Sequence, residues 1–255
     1  MPNLPVPALK DLLFRMADDA LTIAHRNSEW TGLGPMLEED IAFCSIAQDK
    51  MGHALALYEL LHELGEPEPD TTALLRGERD FRCCHLVEYP IGEYDFSLMR
   101  HLLFDVAEQI RYRMLESSAC QPLARLARKM RGEIKYHVFH AQTLVVKLGA
   151  HGTDESKARM QAALNECIPL ALGIFEPSKY ETELSESGIF AGERALQQQW
   201  LTEITQLCDR AGLNLPSVDN VQPSYGGRYG SHTEYLPSLL EETSEVFRLD
   251  PAADW

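Results

Sequence analysis

The six cysteines of this 255-residue chain, Cys44, Cys83, Cys84, Cys120, Cys167 and Cys208, include no CxxC pair. That leaves no zinc-ribbon or thioredoxin-like spacing, and adjacent Cys83 and Cys84 are poorly placed to bond each other. They are read as buried free thiols of a reducing compartment. No apolar run approaches the ~20 residues needed to span a bilayer. No basic-then-apolar order follows Met1, Pro2, Asn3 and Pro5, so no signal segment is expected, and the expected location is the cytoplasm. Basic residues are scarce: 23 Lys and Arg stand against 39 Asp and Glu, a formal charge of −16. Such a surface repels phosphate backbones, which argues against nucleic acid and is compatible with plain solubility or with a basic partner. Strand-like alternation and low-complexity segments are also missing.

What remains is helical periodicity, in a chain that is 45% hydrophobic. A first helix is predicted from about Pro7 to Asn27, with Leu9, Leu12, Leu13, Met16, Ala20, Ile23 and Ala24 on one face. After Gly32, Gly34 and Pro35, a second runs from Met36 to about Leu64, with a stripe of Phe43, Ile46, Lys50, His53, Leu57 and Leu61. It stops at Gly65, with prolines close behind. A third is expected over Asp95–Ser118. A fourth, Pro122–Gly149, has Leu123, Leu126, Met130, Ile134, His137, Ala141, Leu144 and Leu148 in one row. Two hairpins joined by a long Pro- and Gly-rich connection predict an all-α, ferritin-like four-helix bundle with a long crossover. Additional C-terminal helices are expected at about Ser156–Phe175, kinked at Pro169, at Gly192–Ala211 and at Pro237–Phe247. The domain division expected is 1–211 for the bundle with its extra helices. Residues 212–255 form a tail that packs on the bundle or on a partner, since Tyr225, Tyr229, Tyr235, Leu239, Leu240 and Phe247 are too much apolar area to leave in water.

A di-iron carboxylate bundle takes one glutamate from each of two helices and a Glu-x-x-His pair from each of the other two. The carboxylates bridge and neutralise the metals, and the imidazoles complete the shell. The second helix carries His53 in its stripe, but Lys50 stands three residues before it. The fourth carries His137, preceded at the same spacing by Ile134. Asp49 and Glu133 are each one residue out of phase, a rotation of roughly 100° about the helix axis. Lys50, His53, Ile134 and His137 are therefore degenerate metal-site positions, and no catalytic, cofactor or metal residue is assigned. A lone buried histidine is more often a hydrogen-bonded core residue than a ligand; two at matching places in two hairpins fit a metal site that has lost its carboxylates, with weak metal binding left open. The first and third helices offer Asp18 or Asp19 and Asp105 or Glu108 as interior carboxylates, and a buried Lys50 requires such a partner. Arg125, Arg128, Lys129 and Arg131 form a solvated face or meet an acidic surface. Gly226, Gly227 and Gly230 follow no strand, so they are not a phosphate loop.

With these positions, several segments resemble the C subunits of phenylacetyl-CoA 1,2-epoxidases, multicomponent oxygenases of aerobic phenylacetate breakdown. They are Glu29-Trp30, Ile46 to Ala54, Leu86-Val87-Glu88 with Pro90 and Gly92, and Tyr136-His137. Further on come Leu184-Ser185-Glu186 with Gly188-Ile189, and Gly230 to Glu234 with Leu236; Trp255 also fits. The resemblance covers nearly the whole chain, and Gly230 to Glu234 is its most specific part. It implies a non-catalytic, structural ferritin-like subunit with no cofactor of its own. Its implied partner is the catalytic di-iron A subunit, which binds the CoA ester, along with other oxygenase components including a reductase. A homodimer of the isolated chain is left open. Two rival readings also stand: an independent ferritin-like di-iron oxygenase, and a ferritin-like small-ligand-binding protein. Restoring both carboxylates, Lys50→Glu with Ile134→Glu, is expected to raise affinity for divalent metal. Unchanged metal uptake by that double variant in equilibrium dialysis would remove the reading of these positions as former ligand places.

Overall fold

Helix formation follows the apolar stripes. The computed structural model describes residues 4–253, so Met1, Pro2, Asn3, Asp254 and Trp255 lie outside the described residues. Ten α-helices and four short 3-10 turns account for the regular structure, and no strand occurs among the described residues. Two long hairpins with an extended connection between them make this an all-helical fold of the ferritin-like kind. The chain divides into two compact units, Val6–Pro90 with the tail from Gly226, and Ile91–Tyr225.

In the first unit, α1 (Val6–Ser28) pairs with α2 (Leu37–Glu63). All seven predicted stripe residues of α1 are buried, and so are all six of α2, Lys50 and His53 included. Helix α1 also buries Arg15, Asp18, Asp19, Arg26 and Asn27, so it is covered on more than its apolar face. Helix α2 is capped at Leu64. Gly65 then takes a left-handed φ of +94°, so that its N–H reaches His62 O and the N–H of Glu66 reaches Leu61 O. A residue with a Cβ would be strained there. The connection, expected as loop, contains two short helices, α3 (Pro69–Leu74) and α4 (His85–Glu88). Pro69 sits in the first turn of α3, where its missing N–H costs nothing. Both are too short to show periodicity, which is why the sequence pattern misses them.

In the second unit, α5 (Tyr94–Leu115) is packed by α6 (Gln121–Ala150), α7 (Asp154–Leu172) and α9 (Glu193–Ala211), with the six-residue α8 (Glu181–Glu186) between the last two in sequence. Surrounded in this way, α5 buries seventeen residues. Trp200 of α9 is fully buried, donates its indole N–H to Leu103 O at 2.9 Å, and meets the Phe175 ring at 5.1 Å between centroids. Gly149 allows α6 to touch α9: a Cβ there would fall 2.5 Å from Ala211 O. Helix α7 starts on a Thr153 cap that accepts from Ser156 N, and it runs through Pro169. Arg125, Arg128, Lys129 and Arg131 lie along α6, with Arg128 and Arg131 reaching back to Glu116. Of the cysteines only Cys44 is partly exposed; none is in a disulfide. No helix among the described residues is long and apolar enough to cross a membrane.

From Gly226 the tail lies with the first unit, and α10 (Tyr235–Leu249) packs on α3 and on the turn Glu78–Asp80. Leu236 and Leu239 are buried, whereas Tyr225 and Tyr229 remain 42% and 56% exposed, so the aromatic residues of this tail are only partly covered within the chain. Ending the chain at Ser224 should lower the melting temperature and the soluble yield, because it strips buried side chains from the first unit. An unchanged thermal melt of that truncation would show the tail to be dispensable to this unit.

Candidate functional site

Each hairpin encloses a layer of buried ionisable groups. Asp18 and Asp19, the candidate carboxylates of α1, are fully buried. Asp18 Oδ1 accepts from the Tyr58 hydroxyl at 2.6 Å and from Arg76 at 2.5 Å, while its Oδ2 accepts from the Arg82 N–H at 2.7 Å. Asp19 Oδ1 accepts from the Cys84 N–H at 2.8 Å, and Oδ2 from the Arg228 guanidinium at 2.7 Å. Arg228 also donates to Arg82 O and Arg15 O. Arg76 stacks on the Phe81 ring, 4.2 Å from its centroid. All four oxygens of the two aspartates are thus engaged by α2, the connection and the tail. Burial, followed by the Asp18 charge, raises the Tyr58 phenol well above its ordinary range, so it acts as a donor.

Lys50 and His53 lie on the same buried face of α2, Lys50 with no exposure at all. Asp49 is half-buried, and Glu133 on α6 is exposed, as their phase requires. Lys50 therefore places an amine where a carboxylate would be needed, and it supplies neither a bridging oxygen nor negative charge.

In the second unit, α5 and α6 bring Asp105 and His137 together. The His137 Nδ1 is 4.0 Å from Asp105 Oδ1, and both side chains are fully buried. His101, one turn before Asp105 on α5, places its Nδ1 2.5 Å from Asp105 Oδ2. His140 adds a third imidazole, its ring 5.7 Å from that of His101. Glu108 is buried on α5, and Ile134 is fully buried on α6, where it presents only an alkyl group. Asp105 thus has two imidazoles close to its carboxylate. Ile134 stands where the glutamate of a Glu-x-x-His pair would, and Lys50 holds the matching place on α2. These residues do not fit a carboxylate-bridged di-iron centre.

His101 and His140 carry no motif of their own in the sequence, although the i−4 spacing of His101 from Asp105 and the i+3 spacing of His140 from His137 place both on legible faces. Arg76 and Arg228 are equally unmarked, as are the roles of Cys83, Glu88 and His232. The fully buried Glu88 carboxylate accepts from Thr233 N and Thr233 Oγ1, both at 2.7 Å, and its Oε1 lies 2.7 Å from His232 Nδ1. The Glu88 backbone carbonyl accepts from Arg26 at 2.6 and 3.0 Å. These partners join the Leu86-Val87-Glu88 and His-Thr-Glu segments, which is why both stand out in the sequence.

The buried Asp19–Arg228 pair bears on stability directly. Arg228→Met should cost roughly 3–5 kcal/mol, because it leaves a buried carboxylate without its cation. Adding Asp19→Asn should recover part of that loss. A cost below about 1 kcal/mol in urea denaturation would mean that water replaces the guanidinium at little expense.

A family model described as "Phenylacetic acid catabolic protein" matches residues 1–255. A curated relative, the C subunit of the 1,2-phenylacetyl-CoA epoxidase of Escherichia coli (strain K12), is 32% identical over 242 residues, covering 94% of this chain and 96% of the relative. With that match along its whole length, the chain belongs to the phenylacetic acid catabolic protein family.

Proposed function

We propose that this chain is the non-catalytic structural subunit of a phenylacetyl-CoA 1,2-epoxidase, working in the cytoplasm beside a di-iron catalytic partner in aerobic phenylacetate catabolism. The observation that carries this reading is the burial of Lys50 and Ile134, both with 0% exposure, at the places where ligating glutamates would stand. An exposed lysine at one such position would be neutral evidence. A fully buried one takes the place of a carboxylate and supplies no negative charge there, and Ile134 supplies no oxygen at all. The chain then contributes surface and shape to the assembly while the partner supplies the oxygen chemistry.

The outer face of α2 supports a partner-bound role. Leu37, Ile41, Met51 and Leu55 recur along it at helical spacing and are 69%, 58%, 38% and 47% exposed. With Leu33 and Met36 just before it, 62% and 47% exposed, they form an apolar stripe opposite the buried one. A helix apolar on two faces is characteristic of one covered on both. In the proposed assembly the catalytic partner covers this second face; in the isolated chain a homodimer does so.

The reading is tested by metal analysis and co-purification. The chain expressed alone should carry well under one iron per molecule, and co-expression with the catalytic partner should yield a stable complex with iron only in that partner. Ile41→Asp with Leu55→Asp should weaken the complex at least ~10-fold, a loss of about 1.4 kcal/mol, with helicity unchanged. About two irons per isolated chain, the full complement of a di-iron bundle, would instead make it an oxygenase in its own right.

A further inference from the structure

Cys83, Glu88 and His232 bring three metal-binding atoms together in the first unit, none of them on the long helices α1 and α2. The Cys83 Sγ is 3.6 Å from Glu88 Oε1 and 3.9 Å from His232 Nδ1, and those two atoms are 2.7 Å apart. We propose that these three side chains bind one Zn2+ ion, which clasps the tail to the connection between the hairpins.

The separations suit zinc. Bonds of about 2.3 Å to sulfur and about 2.0–2.2 Å to nitrogen and oxygen place tetrahedral ligands roughly 3.3–3.6 Å apart. Two of the three distances already fall at or near that range; the Glu88–His232 contact opens by roughly 0.6 Å, a small side-chain rotation. One thiolate, one imidazole and one carboxylate form a donor set that favours zinc over harder cations.

The surroundings orient each ligand, as outer-shell partners do in metal sites. His232 Nε2 lies 3.1 Å from Phe81 O, and a carbonyl only accepts, so the proton sits on Nε2 and the Nδ1 lone pair is turned toward the cluster. Thr233 occupies Glu88 Oε2 with two hydrogen bonds, leaving Oε1 for the metal. The Arg82 and Cys84 amides on either side of Cys83 are held by Asp18 and Asp19, which fixes where its sulfur points. Gly227 lies so close to Cys83 that a Cβ would collide with its carbonyl oxygen, so only glycine lets the tail approach. The side chains of His232 and Glu88 are 3% and 0% exposed.

Binding displaces to solvent the Cys83 thiol proton and any proton shared between His232 Nδ1 and Glu88 Oε1. No atom changes oxidation state, so no redox partner is needed.

The full-length chain, stripped with a chelator and titrated with Zn2+ against a chromophoric competitor, should take up one equivalent. X-ray absorption at the zinc edge should show one sulfur among nitrogen and oxygen neighbours. Co2+ in its place should give a thiolate-to-metal charge-transfer band that Cys83→Ser abolishes, and His232→Gln should lower Zn2+ affinity at least tenfold. The absorption measurement requires no variant, so it decides the matter even if both variants fold poorly. No uptake in competition with a micromolar chelator, or zinc bound by nitrogen and oxygen alone, would overturn the proposal and leave a metal-free hydrogen-bonded clasp.

Discussion

Two adjacent carboxylates, Asp18 and Asp19, lie fully buried in the middle of α1, and the first unit is built around satisfying them. An isolated buried carboxylate is too costly to keep ionised, so each must be met by cations and N–H donors. Donors close at hand on α1 cannot serve, because the helix consumes its own backbone N–H groups. The donors come instead from Tyr58 on α2, from Arg76 and the Arg82 and Cys84 amides of the connection, and from Arg228 of the tail. Two neighbouring residues thereby fix the path of a segment with little regular structure, and Arg228 reaches them across 209 positions of sequence.

The same accounting separates the two hairpins chemically. In the first unit the carboxylates of α1 are spent on guanidiniums and amides, and α2 contributes the buried Lys50 side chain. In the second, Asp105 is met by imidazoles from its own helix and from α6. Buried negative charge is thereby met by guanidiniums and amides in one unit and lies beside imidazoles in the other. Compensation of this sort makes weak evidence for net stability, since well-packed apolar residues often do as well.

What was legible in the sequence follows physical range. The stripes of α1, α2 and α6 are local patterns with a period of 3.6, and they place Lys50 and both histidines in the interior, where they lie. Helix ends shifted by one to three residues, the most at the ends of α5 and α7, as they do where no strong cap fixes them. Asp18 and Asp19 were candidates only as alternatives to each other, yet both are interior, because α1 is covered by the connection and tail as well as by α2. Helical phase alone cannot reveal that second cover. His101 was within reach of an i−4 count from Asp105. Arg76, Cys83, Glu88 and Arg228 were not, because most of their partners lie far off in sequence and no periodicity marks them.

The glycines of the tail show how a segment can be specific without being catalytic. Gly226 and Gly230 take left-handed φ values of +132° and +81°, and a Cβ on Gly230 would collide with Arg79 O. A segment with that backbone has one place to lie, against the connection at Arg79 and Cys83. Once it lies there, Arg228 is carried to Asp19, and His232 and Thr233 to Glu88. The order matters energetically: the glycines remove the steric obstacle, and the buried ionic contacts then make any other register expensive, since each would strand a charge. The Gly-to-Glu stretch that stands out most in the sequence is thus a docking device for the chain's own last helix. Its residue types are explained by backbone clearance and charge compensation, without appeal to a substrate.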